Sequence, residues 1–117
     1  MESSPVSLEL ELRELMKQRR LASLEKRDLR IKADDERREW KRAHAVCHAF
    51  YRSKGYAVED AKQAATADKG VMAAQQRAEH AEALAGYAAD QLQDLRQEVI
   101  AVQSLISLWK TLVENGG

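Results

Sequence analysis

The sequence predicts an all-α protein: a long antiparallel helical hairpin, coiled-coil-like, with a short helix at the turn, dimerising into a helical bundle. Three observations carry this. Ala alone fills 19 of the 117 positions and aromatics only 5%, so Ala, Leu, Glu, Gln, Lys and Arg dominate, the composition of long helices rather than of a mixed α/β core. The single proline, Pro5, stands near the start, so no later proline interrupts a helix. Thirteen positions from Val71 to Val113, alternately three and four residues apart, are all apolar. That 3.5-residue repeat is a coiled-coil seam and implies a left-handed supercoil. The length suits one domain, 1–117.

Helix 1 is expected over residues 6–54. Ser4 is a preferred N-cap, and Pro5 comes next at the first helical position, where its missing N–H has no partner to lose. One stripe runs Leu8, Leu12, Leu15, Arg19, Ala22, Lys26, Leu29, Ala33, Glu36, Trp40, Ala43, Cys47 and Phe50, apolar at its ends and charged in its middle. A second stripe, Leu10, Leu21, Leu24 and Ile31, partly fills that middle on another face, so the packing partner is expected to change along the helix. Residues 33–42 hold the densest charge and are the expected place for exposure or fraying. Gly55 suits the left-handed position that ends a helix, with Arg52 and Lys54 complementing the dipole.

A short helix is expected over residues 56–67, with Val58, Ala61 and Ala65 at helical spacing and Glu59-Asp60 in its first turn. Thr66 or Asp68 is placed to cap the next helix, and Gly70 weakens any helix crossing it. A continuous helix from Val58 is the alternative. Helix 3 is expected over residues 70–114, its seam filled by Ala from 74 to 88 and by large residues from 92 to 113, with Asn115-Gly116-Gly117 as its end. In an antiparallel hairpin, Trp40, Ala43, Cys47 and Phe50 would face the Ala seam, and Leu8, Leu12 and Leu15 would lie near Ile106, Trp109 and Val113. A neighbouring stripe, Ala101, Leu105, Leu108 and Leu112, makes the last third apolar over a wide arc. One hairpin has one interface and cannot cover both stripes. The second therefore implies self-association, with Leu105, Leu108, Leu112 and Trp109 at the interface.

A net charge of zero hides a split: residues 1–54 carry 14 Lys/Arg against 10 Asp/Glu, and residues 55–117 carry 5 against 9. Halves of opposite sign attract when packed antiparallel. The sharper alternative is a phosphate-contacting stripe of Arg19, Arg20, Lys26, Arg27, Arg30, Arg37, Arg38, Lys41 and Arg42, extended at the hairpin tip by Arg52, Lys54 and Tyr56. Acidic residues interleave with it, as on a solvated helix face with i,i+4 pairs. Tyr51, Tyr56 and Tyr87 would gather at the tip, where they either stack on bases or cap the helical core.

No nucleophile–base pair, Gly-rich phosphate loop or paired-carboxylate motif stands out, so no enzyme and no cofactor is implied. Weak metal candidates are His44, Cys47 and His48 on one helix face, facing His80 if residue 44 pairs with residue 80. Cys47 reads more simply as a small core residue. A lone cysteine also excludes an intrachain disulfide framework and suits a reducing, cytoplasmic setting. No apolar run exceeds four residues, as from Val99 to Val102, too short to span a membrane, and Met1–Pro5 has no signal-peptide character.

Two segments, AFYRSKGYAVEDAK (Ala49 to Lys62) and the Leu92–Leu108 stretch with LRQEVIAVQSLISL, flank an Ala/Glu-rich region. Together they make His44–Asn115 resemble short helical proteins of tailed bacteriophages, often encoded beside recombination and single-strand-annealing genes. The resemblance implies a bacterial or phage cytoplasmic setting and an accessory role in DNA transactions. The expected function is that of a non-enzymatic helical interaction or scaffold protein, pairing with itself and with a protein partner. The alternative is a nucleic-acid-binding accessory factor that uses the basic N-terminal helix on DNA.

Overall fold

A computed structural model describes residues 4–116. Met1–Ser3 and Gly117 fall outside the described residues. The order is α1 (Pro5–Ser53), α2 (Val58–Ala67) and α3 (Lys69–Gly116), with no strand among the described residues. α1 and α3 pack as a hairpin.

The ends of these helices reflect local chemistry. The Ser4 hydroxyl accepts a hydrogen bond from the Ser7 amide at 3.1 Å, and Pro5 opens α1 at no cost in hydrogen bonding. α1 ends in a Schellman turn. Gly55 takes φ 96°, the Tyr56 amide donates to the Tyr51 carbonyl at 3.2 Å, and the Gly55 amide donates to the Arg52 carbonyl at 3.0 Å. The Tyr51 and Tyr56 rings, 5.0 Å apart, supply the apolar contact that accompanies such turns. Arg52 closes the loop by donating to the Tyr56 carbonyl at 2.8 Å.

Asp68, with ψ 134°, separates α2 from α3, so the two are not one continuous helix. Its carboxylate accepts from the Gly70 and Val71 amides at 3.0 and 3.1 Å, two of the donors a helix start leaves unpaired. Of the two expected caps, Asp68 is therefore the one in use. Thr66 instead donates its hydroxyl to the Lys62 carbonyl. Gly70 lies inside the first turn of α3. At the far end α3 runs through Asn115 and Gly116 rather than stopping at residue 114.

The chain divides into two compact units. In the first, α1 up to Lys26 packs on α3 from Tyr87. Its core is Leu8, Leu15, Val99, Val102 and Ile106, with Leu12 and Leu95 against it. In the second, Arg27–Gly86, the core is small: Ala33 packs with Ala81 and Ala85, flanked by Leu29, and Ala61 and Ala65 of α2 are completely buried. Small side chains let helices approach closely, and α2 uses this to run back along α1, bringing Thr66 to His44.

Both stripes read as seams are seams. Along α1 every position from Leu8 to Cys47 of the first stripe is buried or half-buried, and along α3 every position from Val71 to Ile106. Four expectations are corrected. Leu10, Leu21, Leu24 and Ile31 stay exposed, so the inward face of α1 does not switch: Arg19, Ala22 and Lys26 hold it, half-buried, the two basic residues through their long aliphatic stems. Residues 33–42 are exposed at six of ten positions, as expected, but they are fully helical rather than frayed, and Ala33 is 1% exposed. Phe50 is exposed, and so are Trp109 and Val113 at the end of the α3 seam. The register also differs: Leu8 and Leu15 meet Val99, Val102 and Ile106, while Ala43 and Cys47 lie by Asp68, Gly70 and Val71. The physical reason is α2, which descends along α1 before α3 begins, so that α3 starts level with Cys47 instead of near the tip.

Candidate interaction surfaces

The last third of α3, in the first unit, carries a continuous apolar face. Leu105, Leu108 and Leu112, one helical turn apart, are 45%, 55% and 58% exposed, and Trp109 and Val113 lie beside them at 36% and 63%. α1 covers the seam of Val99, Val102 and Ile106 and leaves this neighbouring face open. Between Val99 and Val113 the only charged residue is Lys110. Ser104 and Thr111 border the face, and their hydroxyls are turned to the carbonyls of Ile100 and Ser107 at 2.9 and 3.0 Å. These two hydroxyls are thus satisfied within the helix.

The basic stripe divides into two groups. In the second unit, acidic neighbours pair with its arginines, while Lys41 has no ion pair among the described residues. Arg30 grips both oxygens of Glu82 and reaches Asp34 at 3.1 Å, and Arg37 joins Glu82 at 3.0 Å. Arg38 pairs with Asp35 at 2.8 Å, Arg42 with Glu39 at 2.7 Å, and Arg27 lies 3.6 Å from Asp28. In the reverse direction, Arg77 of α3 reaches Glu36 of α1 at 3.5 Å. The Arg30 guanidinium holds the Glu82 carboxyl below its ordinary range, and Glu82 raises Arg30 in turn. In the first unit, Arg19 and Arg20 have no ion pair among the described residues. They line a recess with Arg96 of α3, a residue outside the predicted stripe. Nothing in its own stretch singles it out, since Asp94 and Glu98 stand charged on either side.

The expected metal set does not assemble. His44 Nε2 lies 3.3 Å from Thr66 Oγ1, and its ring stacks on His48 at 6.4 Å. Ala81, next to His80, packs on Ala33, eleven residues from His44, which is roughly 16 Å along α1. The described residues hold no group of three His, Cys, Asp or Glu side chains placed for a metal. Cys47 is a half-buried thiol whose ionisation burial suppresses, with the Asp68 carboxylate adding to the effect.

The tip tyrosines are a pair rather than a trio. Tyr51 and Tyr56 close the end of α1, with Phe50 edge-on to Tyr51 at 5.3 Å and Lys54 Nζ 5.3 Å from the Phe50 ring centre. Tyr87 belongs to the other unit, where its hydroxyl accepts from Gln91 at 3.0 Å. Arg52, Tyr51 and Tyr56 thus hold the turn together. No helix among the described residues is long and apolar enough to cross a membrane. The chain matches no protein-family model, no curated protein and no solved structure.

Proposed function

We propose that this chain is a non-enzymatic helical interaction protein that works as a homodimer, joined through the open face of α3. The supporting observation is the run of half-exposed leucines at Leu105, Leu108 and Leu112, with Trp109 beside them. A second copy is the occupant the chemistry favours. A face with one cation in fifteen residues, Val99 to Val113, meets little like-charge repulsion when it pairs with itself. Helices with the same 3,4-spaced stripe are also self-complementary about a two-fold axis. Burying one of these leucines recovers roughly half of the ~1.5–3 kcal/mol that full burial brings, since the fold already covers the other half. Association therefore needs the whole stripe rather than one anchor. The dimer would offer its charged α1 surface to a protein partner. The resemblance to short phage proteins supplies the setting, a cytoplasmic accessory factor of bacterial or phage origin.

Sedimentation at tens of micromolar tests this directly. The unmodified chain is expected to run as a dimer, and Leu105→Glu with Leu108→Glu as a helical monomer by circular dichroism. A helical monomer from the unmodified chain at that concentration overturns the proposal.

A further inference from the structure

Between the N-terminal part of α1 and the C-terminal part of α3 lies a recess of about 490 Å³, separate from the apolar face of α3. Arg19, Arg20 and Ser23 line it from α1, and Arg96 from α3, while Met16 and the buried Leu92 give it an apolar wall. Every ion pair found among the described residues lies in the other unit, so these three arginines line one recess without a carboxylate partner. Three forked guanidinium groups and a hydroxyl suit a phosphate, whose oxygens accept paired N–H donors.

We infer that this recess binds a small phosphomonoester of about mononucleotide size, with its phosphate on Arg19, Arg20 and Arg96 and its less polar part against Met16 and Leu92. The volume lies in the range of small-molecule sites, roughly 300–1,000 Å³. A small ligand is favoured over a nucleic-acid track by the charge around it. Residues 1–26 and 87–117 together hold seven Lys/Arg against nine Asp/Glu, a balance of −2 that does not draw in a polyanion. The arginines that would extend a track along α1, Arg27, Arg30, Arg37 and Arg38, are already paired with carboxylates.

Calorimetric titration of the full chain with adenosine monophosphate, inorganic phosphate and a 20-mer of thymidylate lacking a terminal phosphate tests this, at pH 7.5 and two salt concentrations. The expected result is saturable binding of the monophosphate, weaker binding of inorganic phosphate, and little binding of the oligonucleotide. Arg20→Gln and Arg96→Gln, both at exposed positions, should each weaken the monophosphate at least tenfold with helicity unchanged, while Arg38→Gln in the other unit leaves it unaltered. No binding of either phosphate at millimolar concentration overturns the inference. So does binding that Arg20→Gln and Arg96→Gln leave intact. Binding of the oligonucleotide alone, falling steeply with salt, also overturns it and assigns the arginines to a nucleic-acid backbone.

Discussion

Single residues decide where the helices stop and how the charged part of the hairpin is held. Gly55 at φ 96° has open space around a would-be side chain, so glycine is required by the backbone angle rather than by crowding. Asp68 caps α3, and its negative charge also disfavours a thiolate at Cys47. Glu82 gathers Arg30 and Arg37 from the facing helix, so one carboxylate ties the two long helices together at their small-residue stretch. All three side chains keep nearly half their surface exposed, which keeps the contribution modest and salt-sensitive. Its pH dependence has a definite sign. Glu82 titrates below its ordinary value when folded, chiefly through its hydrogen bond to Arg30. The native state therefore gains stability at pH values above the unfolded glutamate's pKa, about 4.3, and loses that gain as the pH falls through the lower folded value. Thermal unfolding of the unmodified chain against Glu82→Gln should show a gap at pH 7 that narrows from about pH 5 and closes in strong acid. A gap that is constant down to about pH 2 would mean the carboxylate's charge contributes nothing.

At the scale of elements, the two units reach close helix packing by different chemistry. Large residues interdigitate around Leu8, Leu92 and Val99, whereas Ala meets Ala at Ala33, Ala81 and Ala85. The Ala stretch buries less apolar surface per residue but allows no added volume. Ala85→Leu places three extra heavy atoms where Ala33 is 1% exposed, and should cost about 1–3 kcal/mol in urea unfolding. Ala83→Leu, the same substitution at an exposed position two residues away, should change stability by about 0.5 kcal/mol or less. Equal effects from the two would place Ala85 outside the interface. The same contacts separate what the sequence makes legible from what it does not. Inward faces reflect a 3.5-residue period that is written along one dimension, so the stripes from Leu8 to Cys47 and from Val71 to Ile106 are readable from the residues alone. Register depends on how much chain the turn consumes, and no period encodes that. α2, seated through Ala61 and Ala65, shifts the pairing enough to separate His80 from His44 and to put Glu82 on Arg30. Arg96 is illegible for the same reason, since its place beside Arg19 and Arg20 exists only once the register is known.

For the molecule as a whole, the question is what covers the face that one hairpin leaves open. α2 belongs to the unit that lacks this face, and Leu105, Leu108 and Leu112 keep about half their surface, so neither α1 nor α2 seals it. If a second copy does, unfolding is coupled to dissociation, and mass action makes the melting temperature depend on protein concentration. A tenfold rise in concentration is worth about 1.4 kcal/mol per dimer. The unfolding entropy of two such chains, taken at about 2.1 cal/mol/K per residue, turns that into roughly 3 °C. Scans of the unmodified chain across a hundredfold range, from a few micromolar upward, should therefore rise by about 6 °C in total. The Leu105→Glu, Leu108→Glu chain should melt at one temperature throughout that range, because a monomer's stability has no concentration term. Equal melting temperatures for the unmodified chain at both ends of the range would show that its native state gains nothing from a second copy, and would leave the leucine face to a different protein.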